Sequence, residues 1–238
     1  MNRIDQLSIK LFADGAEKSE MLAMAKKPWI KGFTTNPTLM HKAGIKDYQA
    51  FALDILQTIP NLPISFEVFS DDFEEMYSQA LLIASWGSNV YVKIPVCNTR
   101  GQPAYPLIKR LALEKVNVNV TAVMTLNQVD QIIDVLTPAP KATISIFAGR
   151  IADTGRDPVP IMQQALKRMQ PYSQLELIWA SPRELLNIFQ ANAIGCSIIT
   201  VSPDILKKIN LVDKNLEDFS LETVCMFRND AIKAGFHL

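Results

Sequence analysis

The sequence predicts an α/β chain closed into a (β/α)8, or TIM, barrel: a single domain over residues 1–238, with a C-terminal helical extension over 216–238. Three observations predict it. Short apolar, β-branched runs alternate with longer stretches of helical period. The runs recur at about 25 residues, the length of a strand plus its crossover helix in a parallel sheet. The chain length suits eight such units, since closed barrels of this kind take about 250 residues, and no Pro/Gly/Ser-rich linker divides it.

The strands are expected at 8–12 (SIKLF), 30–34 (IKGFT), 64–68 (ISFEV), 90–94 (VYVKI), 118–123 (VNVTAV), 143–147 (TISIF), 175–180 (LELIWA) and 197–201 (SIITV). Helices are expected between them. The stretch 47–59 carries Phe51, Ile55 and Ile59 on one face. The next, 72–86, opens on Asp71, Asp72, Glu74 and Glu75, carboxylates that a helix N-terminus favours, so this run reads as a helix start rather than an acidic ligand set. Further helices fit 106–115, 127–136, 158–169, 182–193 and 203–209, with Pro158, Pro182 and Pro203 placed where a first turn tolerates proline. The tail is amphipathic, and is expected to cover the barrel or reach a neighbouring subunit.

Composition removes several function classes. With 48% hydrophobic and 20% charged residues the chain has ordinary globular usage, and 24 Lys plus Arg balance 24 Asp plus Glu. That balance gives no basic footprint for nucleic acid or membrane. No apolar run reaches the roughly 18 residues of a bilayer span. The start, with Arg3, Asp5, Lys10 and Asp14, lacks a signal peptide's apolar core. Cys97, Cys196 and Cys225 are too scattered for a disulfide framework and read as reduced thiols of a cytoplasmic protein. The two histidines, His41 and His237, have no metal-ligand spacing, and no glycine pattern matches a dinucleotide or P-loop signature. Chemistry must therefore run on Lys, Asp, Glu, Ser, Thr or Arg.

Strands of a parallel barrel are buried on both faces and should be almost purely apolar. Six successive ones break this rule near their C-terminal ends: Asp14 after the first, Asn36 after the second, Glu67 in the third, Lys93 in the fourth, Asn119 and Thr121 in the fifth, and Ser145 in the sixth. Burying such groups costs several kcal/mol unless they are partnered. Together they converge on the end of the barrel where active sites sit. Lys93, between Val92 and Ile94, is the sharpest case. An ordinary lysine is only about 0.04% neutral at pH 7. Desolvation favours the free amine, the form that attacks a carbonyl. A buried salt bridge of Lys93 with Glu67 or Asp14 accounts for the same residues.

These segments resemble the transaldolase family. GFTTNPTLM (32–40) is similar to its TTNPS signature and VYVKIPV (90–96) to its Schiff-base lysine strand. NVNVTAVMT (117–125), SIFAGRIAD (145–153) and ASPR (180–183) resemble three further motifs in the same order. The resemblance implies a Schiff base on Lys93, with no metal or organic cofactor. It implies Asp14 as general acid/base, and Glu67 and Thr121 holding a proton-shuttling water. Asn36 and Asn119 would bind the dihydroxyacetone hydroxyls, with Thr34, Ser145 and Phe147 lining the same pocket. Arg150, Ser181 and Arg183 would hold the phosphate. It further implies sugar-phosphate substrates and a homo-oligomer, from dimer to ring-like decamer.

The family has two branches. The one that transfers the three-carbon unit to an aldose is matched by Glu67 and Phe147, where the fructose 6-phosphate aldolase branch resembles a Gln and Tyr pattern. The short chain is closer to the aldolase-like branch. Transaldolase is the expectation, with the aldolase that releases free dihydroxyacetone as alternative and a non-catalytic sugar-phosphate-binding barrel as a third reading. Gly15 departs from the Thr or Ser more usual after the first aspartate, which affects the acceptor side.

Overall fold

The computed structural model describes residues 3–137, 139 and 141–238. Eight parallel strands close on themselves in the order β1 to β8: β1 Lys10–Asp14, β2 Ile30–Thr34, β3 Ile64–Glu67, β4 Val90–Pro95, β5 Val118–Val123, β6 Ala142–Ile146, β7 Leu175–Trp179 and β8 Ile198–Val201. Outside them lie α1 Lys18–Ala25, α2 Pro37–Lys42, α3 Tyr48–Thr58, α4 Phe73–Ala84, α5 Tyr105–Leu113, α6 Leu126–Leu136, α7 Ala148–Ala152, α8 Val159–Met169, α9 Leu186–Ala193, α10 Pro203–Leu206 and α11 Leu216–Lys233. This is the predicted (β/α)8 barrel with its C-terminal helix. Large apolar side chains from strands and helices, among them Phe33, Phe66, Ile94, Ile108, Ile132 and Trp179, are fully buried between the two layers. Among the described residues no helix is long and apolar enough to cross a membrane.

The local chemistry follows the expectations in most places. Asp72 caps α4 by accepting from the Glu74 and Glu75 amides at 3.0 and 3.1 Å, so the acidic run is a helix start. Thr125 and Gln128 form a reciprocal capping box on α6. Three boundaries differ. The first strand was expected at 8–12, yet the Ser8 and Ile9 amides are taken by the Asn192 side chain at 2.9 and 3.2 Å, and the ladder runs on to Asp14, opposite Thr34. The helix expected from Pro182 begins only at Leu186. Ser181 is left-handed at φ 58°, and the Arg183 and Glu184 amides both donate to the Asn187 side chain. Finally, 203–209 divides into α10 and a 3-10 turn, Lys207–Leu211, with Pro203 in the first turn as expected.

The tail does not cover the barrel. α11 buries none of its residues, and Phe219, Leu221, Val224, Met226, Phe227 and Ile232 are all exposed along it.

Candidate active site

A cavity of about 480 Å³ opens at the C-terminal mouth of the barrel. Parallel registers deliver its floor. Glu67 of β3 lies opposite Lys93 of β4, and the Lys93 ammonium reaches the Glu67 Oε2 at 2.9 Å. The same Nζ donates to the Thr35 carbonyl at 2.8 Å, where β2 has ended. Lys93 is 6% exposed, so its amine is held by these two acceptors and the cavity rather than by bulk water. The salt bridge considered from the sequence is thus present, and it lies inside the pocket.

Asp14 closes the ring from β1. Thr34 donates to its Oδ1 at 2.7 Å, and Thr34 is in turn hydrogen-bonded to Thr200 of β8. The Asp14 carboxyl faces the cavity but is otherwise surrounded by protein. Burial pushes its pKa above the usual carboxylate value; the Lys93 charge and the Thr34 hydrogen bond pull it down, and Glu67 pushes it up. The net direction is upward.

On β5 the ladder to β6 shifts register between Val120 and Val123, and Ala122 takes a left-handed φ of 62°. Such a bulge re-aims side chains at a strand end. Thr121, within it, lines the cavity with a buried hydroxyl that has no partner among the described residues. Ser145 of β6 also lines the cavity and donates to the Asn119 Oδ1 at 2.7 Å. Asn36 spends its carbonyl oxygen on the Leu39 amide as the cap of α2, which leaves its NH2 as the group to offer.

The far wall is cationic. Phe147, Arg150 and Ser181 line it, and no ion pair engages Arg150 among the described residues. Gly149 explains how these pieces meet: a Cβ there would lie 1.6 Å from the Ser181 carbonyl oxygen, so only glycine lets the loop after β7 rest on α7. Ten of the twelve sequence-selected residues line the cavity, and two do not. Asn119 is fully buried beneath it, with its amide donating to the Ser65 hydroxyl at 3.2 Å. Arg183 is turned to Asp153, with its Nε 3.0 Å from Oδ1 and its Nη2 on Oδ2.

The transaldolase/fructose-6-phosphate aldolase family model matches residues 11–236, which takes in all eight strands but for Lys10 of β1, and every residue that lines the cavity. The chain belongs to this family. A probable transaldolase of Dehalococcoides mccartyi is 33% identical over 202 residues, covering 84% of this chain and 90% of the relative. One from Bdellovibrio bacteriovorus is 32% identical over 216 residues, covering 89% and 95%. A third, from Thermoanaerobacter sp. (strain X514), is 32% identical over 232 residues, covering 97% and 100%. Family and relatives make this a transaldolase-type enzyme. Among the described residues no group of three His, Cys, Asp or Glu side chains could hold a metal ion.

Three residues of the site escaped the sequence reading. Thr200 and Ser65 carry the signal that found the others, a polar residue in an apolar strand. Tyr48 carries none: it lies on α3, and its hydroxyl accepts from the Glu67 amide and donates to the Glu67 carbonyl, each at 2.8 Å.

Proposed function

We propose that the chain is a Schiff-base transaldolase that moves a dihydroxyacetone unit from a ketose phosphate, fructose 6-phosphate or sedoheptulose 7-phosphate, to an aldose phosphate. The observation that carries the reading is the buried Lys93 amine, 2.9 Å from a carboxylate on the floor of a polar cavity whose far wall holds Arg150. Glu67 takes the ammonium proton, and the amine attacks C2 of the ketose to give a carbinolamine. A water held between Glu67 and the unpartnered Thr121 hydroxyl carries the protons by which the carbinolamine loses water to become an iminium ion. Asp14 removes the C4 hydroxyl proton; the C3–C4 bond breaks and its electrons pass into the iminium. An aldehyde leaves and an enamine of dihydroxyacetone stays on Lys93. Attack of that enamine on the acceptor aldehyde reverses the sequence. Asn36, Ser145 and Thr34 order the three-carbon fragment, with Asn119 setting Ser145 from beneath the floor; Phe147 bounds the fragment, and Arg150 and Ser181 hold the phosphate. A guanidinium suits that role because its charge is permanent and its donors planar. Arg183 joins them by exchanging Asp153 for the phosphate.

Glyceraldehyde 3-phosphate release from fructose 6-phosphate, with and without erythrose 4-phosphate, tests the reading. Release that depends on the acceptor supports transfer. Sustained equal release without it assigns the chain to the aldolase that frees dihydroxyacetone. Borohydride should trap the donor on the native chain and not on Lys93→Ala; equal trapping on both removes Lys93 from the chemistry.

The exposed apolar residues of α11 support a homo-oligomer that closes over this helix. Three free thiols, with Cys225 exposed, support a reducing, cytoplasmic location.

A further inference from the structure

A second and larger cavity, of about 720 Å³, opens at the opposite end of the barrel, among the N-terminal ends of the strands. We propose that this lower mouth is a binding site for a small phosphorylated molecule, separate from the catalytic pocket.

Charge is the first reason. Lys10, Lys31 and Lys141 all line the cavity, against one carboxylate, Glu176. Glu176 is committed to Lys10 at 2.7 Å. Among the described residues Lys31 donates only to the Pro28 carbonyl, a neutral acceptor, at 2.7 Å, and Lys141 has no ion-pair partner. Two cationic charges are therefore uncompensated at one opening. The chain as a whole carries no net charge, so the excess is local.

The second reason is independent of charge. Thr143 of β6 lines the floor of the cavity at 4% exposure, and its hydroxyl has no hydrogen-bond partner among the described residues. Buried hydroxyls nearly always find one. An oxygen-rich ligand seated under the lysines supplies it, with Tyr91 and Gln174 as further donors on the rim. The volume falls within the range of about 300–1,000 Å³ found for small-molecule sites. Lysines act there as point charges, which suits a phosphate whose orientation is set by hydroxyls.

The site is partitioned from the catalytic one. Phe12, Ile178 and Ile198 pack together across the barrel interior. Past that layer runs one polar thread: Ser65 lines the lower cavity, accepts from Asn119, and Asn119 accepts from Ser145, which lines the catalytic cavity. A phosphate oxygen that accepts from the Ser65 hydroxyl therefore touches the same atom that accepts from Asn119.

Calorimetric titration of the whole chain with inorganic phosphate at low ionic strength tests the site. Two classes of binding are expected on the native chain: Arg150→Ala should remove one, and Lys31→Met with Lys141→Met the other. Each lysine is expected to contribute about tenfold, the effect of one charge-assisted hydrogen bond. Both lysines are exposed, so the double variant should fold and retain activity. Thr143→Val, nearly isosteric, should bind phosphate more weakly while melting no lower than the native chain. Glycerol 3-phosphate binding tighter than inorganic phosphate marks the ligand as a polyol phosphate; equal binding of the two marks it as the free ion. The proposal is overturned if the native chain shows no binding beyond that lost in Arg150→Ala, or if the lysine double variant binds as the native chain does.

Discussion

Replacing Tyr48 with phenylalanine deletes one oxygen atom and leaves two backbone groups without a partner. The structure shows why an oxygen is needed there. β2 pairs with β3 only through Phe33 opposite Ile64 and Thr34 opposite Ser65, and then turns away into α2. The Thr35 amide still reaches the Ser65 carbonyl, but nothing of β2 extends as far as Glu67. The Tyr48 hydroxyl stands in for the missing strand, accepting from the Glu67 amide and donating to its carbonyl at 2.8 Å each. Its ring keeps edge contacts with Phe66 and Phe69 in either variant, so the substitution isolates the hydroxyl. Burial raises the pKa of that hydroxyl, which keeps it a donor. An unpaired, largely buried backbone group costs about 1–3 kcal/mol, so the two together should cost about 3 kcal/mol. For a chain of this size that lowers Tm by roughly 6–12 °C. Because Glu67 is the residue whose carboxylate meets Lys93, kcat should fall at least about tenfold, as even a misplacement of about 1 Å in a site is costly. Thermal melts and acceptor-dependent aldehyde release measure the two effects. A Tm within 1 °C of the native value, together with unchanged kcat, would refute the claim that the hydroxyl replaces a strand (about 0.5 kcal/mol or less).

Asp14→Asn should abolish transfer and alter the pH dependence of stability. The folded carboxyl is raised, so the native state keeps a proton that the unfolded chain loses; its stabilising effect is full below the unfolded value near about 3.9 and is lost as pH rises through the folded value. The variant should therefore gain on the native chain in melts taken from pH 4 upward, and a pH-independent difference would contradict the raised carboxyl. Gly149→Ala drives a methyl into the Ser181 carbonyl; about 1–3 kcal/mol of destabilisation is expected, with KM for a phosphorylated donor rising more than kcat falls. Glu67→Gln should slow transfer and raise the share of aldehyde released without acceptor, and unchanged partitioning would take Glu67 out of the proton relay.

The strands were legible because burial on both faces leaves little choice but Val, Ile and Leu, and their positions came within two residues. The longer helices were legible from period and caps. The short ones were not: α7 exists because Gly149 admits the Ser181 loop, a contact between residues 32 apart in sequence. α2 left a readable trace in the Asn36–Pro37 pair, a cap followed by a first-turn proline. In the cavity, polar residues in apolar strands pointed to Asp14, Glu67, Lys93 and Thr121, whereas Arg150, Ser181 and Arg183 came from motif resemblance. The Arg183–Asp153 pair could not be read in advance, because whether a guanidinium faces a pocket or a neighbouring carboxylate is decided by loop geometry.

Helix α11 changes what a melting curve of this protein means. Eighteen residues with none buried draw their helicity from local propensity and an Asn215 cap, a marginal basis for order in water. In dilute solution the far-ultraviolet signal should decay in two steps, the helix unwinding well below the temperature at which the barrel opens. Raising protein concentration should merge the steps if another copy shelters the helix. A single quoted Tm would then describe a concentration as much as a sequence.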